Sequence, residues 1–170
     1  MYDNFPSATL ELRARLLEFM DRHIYSNEAR YISEVETLGP WAVIPLVEEL
    51  KKIARSEGLW NLFLPSPESG TSPSLFAYAP ICEIIGRSPL APEVFNCASP
   101  DDGIMRLLDT YADENQRERW LQPLLAGEIR ACLAMTEPDV ASSDAANIAS
   151  AITSDGDDFL VSGRKWYISN

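Results

Sequence analysis

Apolar residues recur four positions apart at Leu12, Leu16, Met20 and Ile24, with Leu17 widening the stripe. That spacing predicts an amphipathic helix over residues 8–25. A second apolar face, Leu46, Leu50, Ile53 and Ala54, begins at Pro45 and ends at Gly58, with Glu48 and Lys52 on its outer side. Proline suits the first turn of a helix and glycine its end. Residues 64–74, "LPSPESGTSPS", read as an exposed loop. "SLFAYAPICEIIGRSPLAPEVF" (74–95) predicts a buried helix interrupted at Pro80, then an extended turn after Gly86. A helix follows over 102–112, with Asp101 and Asp102 as its expected caps. Asp113 and Gln116 have the spacing of a reciprocal cap and open a further short helix.

Beyond residue 130 the period changes. "EIRACLAMTEP" alternates loosely between turn residues and predicts a strand. Residues 147–170 predict two strands joined at "SDGDD" and a third starting at Lys165. The expected fold is mainly α: a helical N-terminal domain over 1–130, followed over 131–170 by the first strands of a β domain. A third strand that stops at Asn170 leaves an open sheet edge, which proteins normally cover. The expectation is therefore a piece of a longer design, whether a shortened gene product, one half of a split protein or a trimmed segment.

Composition narrows the function. Apolar residues make up 46% of the 170, enough for a sizeable core, and the net charge is −12. Such acidity excludes nucleic acid and anionic membrane surfaces as partners, since both are bound through Lys and Arg. A small anionic ligand stays open, because backbone amides can bind it. Cys82, Cys97 and Cys132 lie among apolar neighbours and read as buried free thiols of a reducing compartment. His23 is the one histidine and reads as a helix-surface residue; no His–Cys–carboxylate spacing suggests a metal. With no signal peptide or membrane-spanning stretch, a soluble, cytoplasmic protein is expected.

The candidate chemistry sits in "MTEPDVASSDA", residues 135–145. A turn is the plain reading: Pro138 keeps Glu137 out of the helical region, and Asp139 and the serines bond to nearby backbone. A sharper reading is also open. Thr136 falls where the strand ends, and the small Ala141, Ser142 and Ser143 let their amides and hydroxyls approach phosphate oxygens. Some thirty residues on, "RKWYISN" supplies Tyr167 and Ser169, which strand alternation puts on one face. A ring and a hydroxyl beside a loop of backbone donors suit a planar heterocycle carrying a pyrophosphate, that is, a flavin dinucleotide.

With these motifs the chain resembles the acyl-CoA dehydrogenase flavoproteins, in particular the branch whose flavin loop reads AMTEPxVASSDA. The resemblance is strongest from Phe95 to Asn170, where T-E-P, S-D-A and "GRKWYISN" occur together. It implies a helical N-terminal domain, a middle β domain and a second helical domain that builds a tetrameric core. It implies FAD as cofactor, and a reaction of fatty acid metabolism: α,β-dehydrogenation of an acyl-CoA thioester, with an electron-transfer flavoprotein as electron acceptor. By position, Met135 and Thr136 would contact the pyrimidine side of the flavin, with Leu133 where many relatives have an aromatic. Ser142 and Ser143 would lie near the pyrophosphate and the pantetheine arm of the substrate. Tyr167 stands where the family has a tryptophan beside the isoalloxazine, and Ser169 where it has a threonine bonded to flavin N5.

The commoner family loop reads TEPGAGSDA. Here Asp139, Val140 and an extra serine replace its glycines, which leaves the choice between Ser142 and Ser143 open. The family's glutamate base belongs to the C-terminal domain, so the resemblance implies that these 170 residues have no catalytic base and are inactive alone. Glu137, the nearest carboxylate, is a structural neighbour of the loop. The alternatives are a non-catalytic helical interaction module that pairs with a partner chain, and a flavoprotein oxidase of the same fold, either an acyl-CoA oxidase or a nitroalkane-type oxidase.

Overall fold

The computed structural model describes residues 5–39, 41–64 and 74–168. Apart from its two end residues, the loop expected at 64–74 lies outside them. The chain divides into two units, Met1–Ile129 and Arg130–Asn170.

In the first unit the predicted apolar stripe builds α1, Ser7–Phe19, which runs on through a widened π-type turn, Met20–Ile24. Leu16, Met20 and Ile24 are fully buried, and Leu12 and Leu17 pack against them. Phe19 joins them and meets Phe95 edge to face, with ring centroids 5.2 Å apart. His23 lies on the same turn, its ring 4.8 Å from that of Phe19.

A tight turn, Tyr25–Asn27, leads into α2, Glu28–Leu38, which the apolar pattern does not announce. No residue of α2 is fully buried; Tyr31 packs partly buried against the core, while Ile32 and Leu38 are exposed. Polar contacts add to that packing. Arg30 reaches Glu34 at 2.7 Å and Glu49 at 3.1 Å, and Glu34 accepts the Leu46 amide at 3.0 Å.

That amide opens α3, Pro45–Ser56, which buries Leu46, Leu50 and Ala54 as expected, and Val47 besides, whereas Ile53 is only partly buried against the core. Lys51 is buried too. Its ammonium meets Glu48 at 2.6 Å and Glu93 at 3.1 Å, so its charge is matched.

Helix α4, Leu75–Ile85, corrects the expected interruption: it passes unbroken through Pro80. One amide donor is lost there, but Pro80, Ile81, Ile84 and Ile85 are buried, and their packing holds the turn together. Where an extended turn is expected after Gly86, Ala91–Val94 forms a single helical turn, α5.

In helix α6, Asp101–Tyr111, neither aspartate occupies the N-cap position. Pro100 takes the cap position and both carboxylates fall in the first turn, where the helix dipole favours them; Asp102 accepts the Gly103 amide at 2.8 Å. The reciprocal cap expected at Asp113 is present, with bonds of 2.8 and 3.1 Å to Gln116. It starts α7, Glu114–Gln116, which continues through a second widened turn, Arg117–Leu121, into α8, Gln122–Ala126. The widening lies just ahead of Pro123, which has no amide to return to the preceding turn.

Helices α1, α3, α4 and α5 share the core with Leu59 and Phe95. Asn96, buried at φ 53°, ties the far side: its amide donates to Asn61 Oδ1 at 2.7 Å and to the Leu124 carbonyl at 3.0 Å. The expectation of three buried thiols is corrected. Cys82 and Cys132 are exposed, and Cys97 is partly buried. Apolar neighbours in sequence misled here, because the core-facing side of α4 runs through Ile81, Ile84 and Ile85 and leaves Cys82 outside.

In the second unit, β1, Ala151–Asp155, pairs antiparallel with β2, Asp158–Ser162, with Ile152 opposite Val161 and Ser154 opposite Phe159. Gly156, at φ 64°, supplies the left-handed turn that joins them. Among the described residues, neither the strand expected at 128–138 nor the one expected from Lys165 is formed. The Trp166 amide bonds to the Thr136 carbonyl at 3.1 Å, a single rung and not a ladder. Alternation alone makes no strand without a partner along its length. Tyr167, at φ 52°, also interrupts the alternation meant to align it with Ser169, and Ser169 lies outside the described residues.

Candidate functional site

The second unit is organised around one carboxylate. Glu137 precedes Pro138 and is only 5% exposed. It accepts Lys165 Nζ at 2.8 Å, the Ala149 amide at 2.7 Å and the Ser150 amide at 2.9 Å. The Lys165 ammonium, followed by the Ser150 and Ala149 donors, holds this carboxyl down at about 2. A carboxylate so fully engaged is a poor proton acceptor, in keeping with its reading as a structural neighbour of the loop.

The Glu137 amide in turn donates to Ser142 Oγ at 2.6 Å. Ser142 is 5% exposed, and its hydroxyl lies 3.2 Å from the Val140 carbonyl and 3.3 Å from that of Glu137. It closes the loop on itself. Asp144 caps the turn Ala145–Asn147, accepting the Ala146 amide at 3.0 Å. Gly163 lets the chain run close to Ser150: a Cβ there would come within 2.6 Å of the serine's Cβ.

Lys165 does a second thing. Its ammonium also donates to the Met135 carbonyl at 3.0 Å. Together with the Trp166–Thr136 bond, this sets "MTEP" beside "RKWY". Of the residues predicted for the site, Met135 and Thr136 are therefore brought alongside the segment carrying Tyr167. Leu133 is 58% exposed, Tyr167 is 83% exposed, and Met135 and Trp166 are also open to solvent. The Trp166 and Tyr167 rings are 4.9 Å apart. Ala141 and Ser143 are exposed, whereas the Ser142 hydroxyl points inward. Lys165 and Trp166 are the two contributors that the sequence reading missed. The signal for Lys165 was a carboxylate fixed before a proline, which needs a cation if it is to be buried. Among the described residues, no group of three His, Cys, Asp or Glu could hold a metal ion, and no helix is long and apolar enough to cross a membrane.

Exposed apolar side chains thus surround a threonine, next to a loop of small residues. The profile of the family "Acyl-CoA dehydrogenase, N-terminal domain" matches residues 7–128. "Probable acyl-CoA dehydrogenase FadE2" of Mycobacterium tuberculosis is 47% identical over 163 residues, covering 94% of this chain and 39% of that protein. "Acyl-CoA dehydrogenase family member 11" of Homo sapiens is 43% identical over 163 residues, covering 94% of this chain and 20% of that protein. A solved structure of a "putative acyl-CoA dehydrogenase" from Mycobacterium abscessus superposes with a TM-score of 0.86 at 43% identity, over 96% of this chain and 42% of that one.

The chain belongs to the acyl-CoA dehydrogenase family. It spans less than half the length of the curated relatives it matches.

Proposed function

We propose that residues 133–143 and 165–169 form part of an FAD site, in a protein that dehydrogenates acyl-CoA thioesters between Cα and Cβ. One observation carries this reading. The Lys165 and Trp166 contacts place the two motif segments side by side, with Leu133, Met135, Trp166 and Tyr167 exposed around Thr136. Apolar surface of that kind, next to a hydroxyl, fits a planar heterocycle better than it fits water. The fit extends to the loop, where Ala141 and Ser143 are exposed and small.

When bound, FAD supplies the hydride acceptor for the reaction. The chain's own residues bind and orient it. Thr136 offers its hydroxyl and amide to the pyrimidine end, and Leu133 and Met135 offer apolar contact. Tyr167 would pack beside the ring system, and Ser169, which lies outside the described residues, keeps the role toward the reacting edge that the family resemblance implies. Ser143 is the serine that reaches the pyrophosphate or the pantetheine arm; Ser142 shapes the loop from within. Glu137 takes no proton, and the base belongs to the C-terminal domain.

Domains at 1–130 and 131–170, a homo-oligomer, an electron-transfer flavoprotein as acceptor and a cytoplasmic location complete the reading. It is supported by the high identity to relatives named as acyl-CoA dehydrogenases.

The test uses the protein at its natural length, purified with FAD and mixed anaerobically with acyl-CoA thioesters of graded chain length. The reading expects the flavin's visible band to bleach with at least one of them. A flavin that stays oxidised with all of them, while still bound, would refute the dehydrogenase reading.

A second reading has its own observation. Ile152, Phe159 and Val161 share one exposed face of the hairpin, as a module that pairs with a partner chain would require. It expects a stable complex with another chain and no response of bound flavin to acyl-CoA.

A further inference from the structure

Three successive residues of the flavin-loop motif are gripped by two residues of the other segment. The Met135 carbonyl accepts Lys165 Nζ at 3.0 Å, the Thr136 carbonyl accepts the Trp166 amide at 3.1 Å, and the Glu137 carboxylate accepts Lys165 Nζ at 2.8 Å. The grip takes up the carbonyl side of the turn. No bond among the described residues occupies the Thr136 hydroxyl. Ser142 secures the Glu137 amide from the opposite side, so Glu137 cannot shift without moving the loop that carries Ser143. Lys165 is only partly exposed, at 23% of its side chain, and its one ammonium serves both acceptors.

We propose that Lys165 and Glu137 are positioning residues: their ion pair sets Met135 and Thr136 against Trp166 and Tyr167, so that both segments present to one ligand. The inference rests on the FAD reading above and gives a role to two residues to which that reading assigns no contact with the cofactor. The chemistry favours lysine. A compact ammonium has three donors and can point at a carbonyl and a carboxylate together, whereas a neutral side chain would leave Glu137 buried and uncompensated. A binding geometry held this way is preset before the ligand arrives, so binding does not bear the cost of ordering it.

Three variants test the inference in the protein at its natural length. Lys165→Met removes the ammonium, and Glu137→Gln removes the charge at nearly constant size. Arg164→Met makes the same charge change as Lys165→Met at an exposed neighbour outside the grip. Hydrogen exchange read by mass spectrometry on peptides covering 133–137, 145–150 and 164–168 reports the grip, and peptides of the helical unit report folding. FAD titration gives affinity, and the visible spectrum at saturation reports the flavin's surroundings.

In Lys165→Met and Glu137→Gln, exchange should quicken in all three peptides while the helical unit stays unchanged. FAD affinity should fall about 10-fold or more, and the saturated spectrum should move toward that of free FAD. Arg164→Met should resemble the parent protein in every respect. Parent affinity and spectrum in both grip variants would overturn the inference alone, since the grip would then serve only stability. A parent protein that binds no FAD would instead overturn the functional reading, and the positioning role with it.

Discussion

Ser142 and Ser143 are adjacent and chemically identical, yet the structure gives them different work, and a pair of alanine substitutions separates them. Ser142 Oγ accepts the Glu137 amide at 2.6 Å, and both residues are buried. Removing the hydroxyl leaves that N–H without a partner in a place water does not reach. Such an orphaned buried donor costs about 1–3 kcal/mol. At about 1.4 kcal/mol per factor of ten, that corresponds to roughly 5- to 150-fold faster hydrogen exchange at the Glu137 amide, if local opening governs its exchange. Ser143 is exposed, so its alanine variant should change stability by less than about 0.5 kcal/mol and leave this amide alone. Residue-resolved exchange on the uniformly labelled chain at fixed pH and temperature measures both. Equal Glu137 exchange rates in the two variants would refute the argument that Ser142 staples the loop.

Further outcomes follow from other parts of the structure. The Glu137 carboxyl is held at about 2, below its ordinary 4.5, so its bonds stabilise the fold above 4.5 and are lost as pH falls through 2. Protection of the Ala149 and Ser150 amides, relative to the intrinsic rate, should hold from neutral pH to about 4.5 and decay below it, and Glu137→Gln should abolish that decay. Phe19→Ala removes a fully buried ring packed edge to face on Phe95, and should destabilise the helical unit by about 3–5 kcal/mol in a urea titration followed by circular dichroism. A loss under about 1 kcal/mol would contradict the packing. Burial pushes the Cys97 thiol up to about 11, so alkylation at pH 8 read by peptide mass spectrometry should label the exposed Cys82 and Cys132 well before it.

What could be read from the sequence was what is decided locally. The α1 stripe, Pro45 at the head of α3, the Asp113–Gln116 cap and the Gly156 hairpin each depend on residues within a turn or two of one another. Helix α2 escaped because none of its residues is fully buried and part of what holds it, the Arg30–Glu49 ion pair and the Glu34 bond to the Leu46 amide, reaches to α3. Pro80 was misread because its local cost is outweighed by burial that the sequence does not display. The two extended segments around the site alternate like strands, yet they share one rung, and pairing is a property of two segments at once.

The site divides in the same way. Its residue types stood in the two motifs, and Thr136, Met135 and Tyr167 could be named from them. Lys165 could not be assigned, because its acceptors lie 28 and 30 positions away in sequence. Nor could the inward turn of Ser142, which depends on how five residues of loop close back on Glu137.

The most direct test of the account is to add FAD to the protein at its natural length, prepared without cofactor, and follow hydrogen exchange across the chain by mass spectrometry. The account predicts that FAD slows exchange in the peptides covering residues 133–143 and 164–168 together, with the same concentration dependence in both. Protection of neither segment at saturating FAD, or of one without the other, would contradict it.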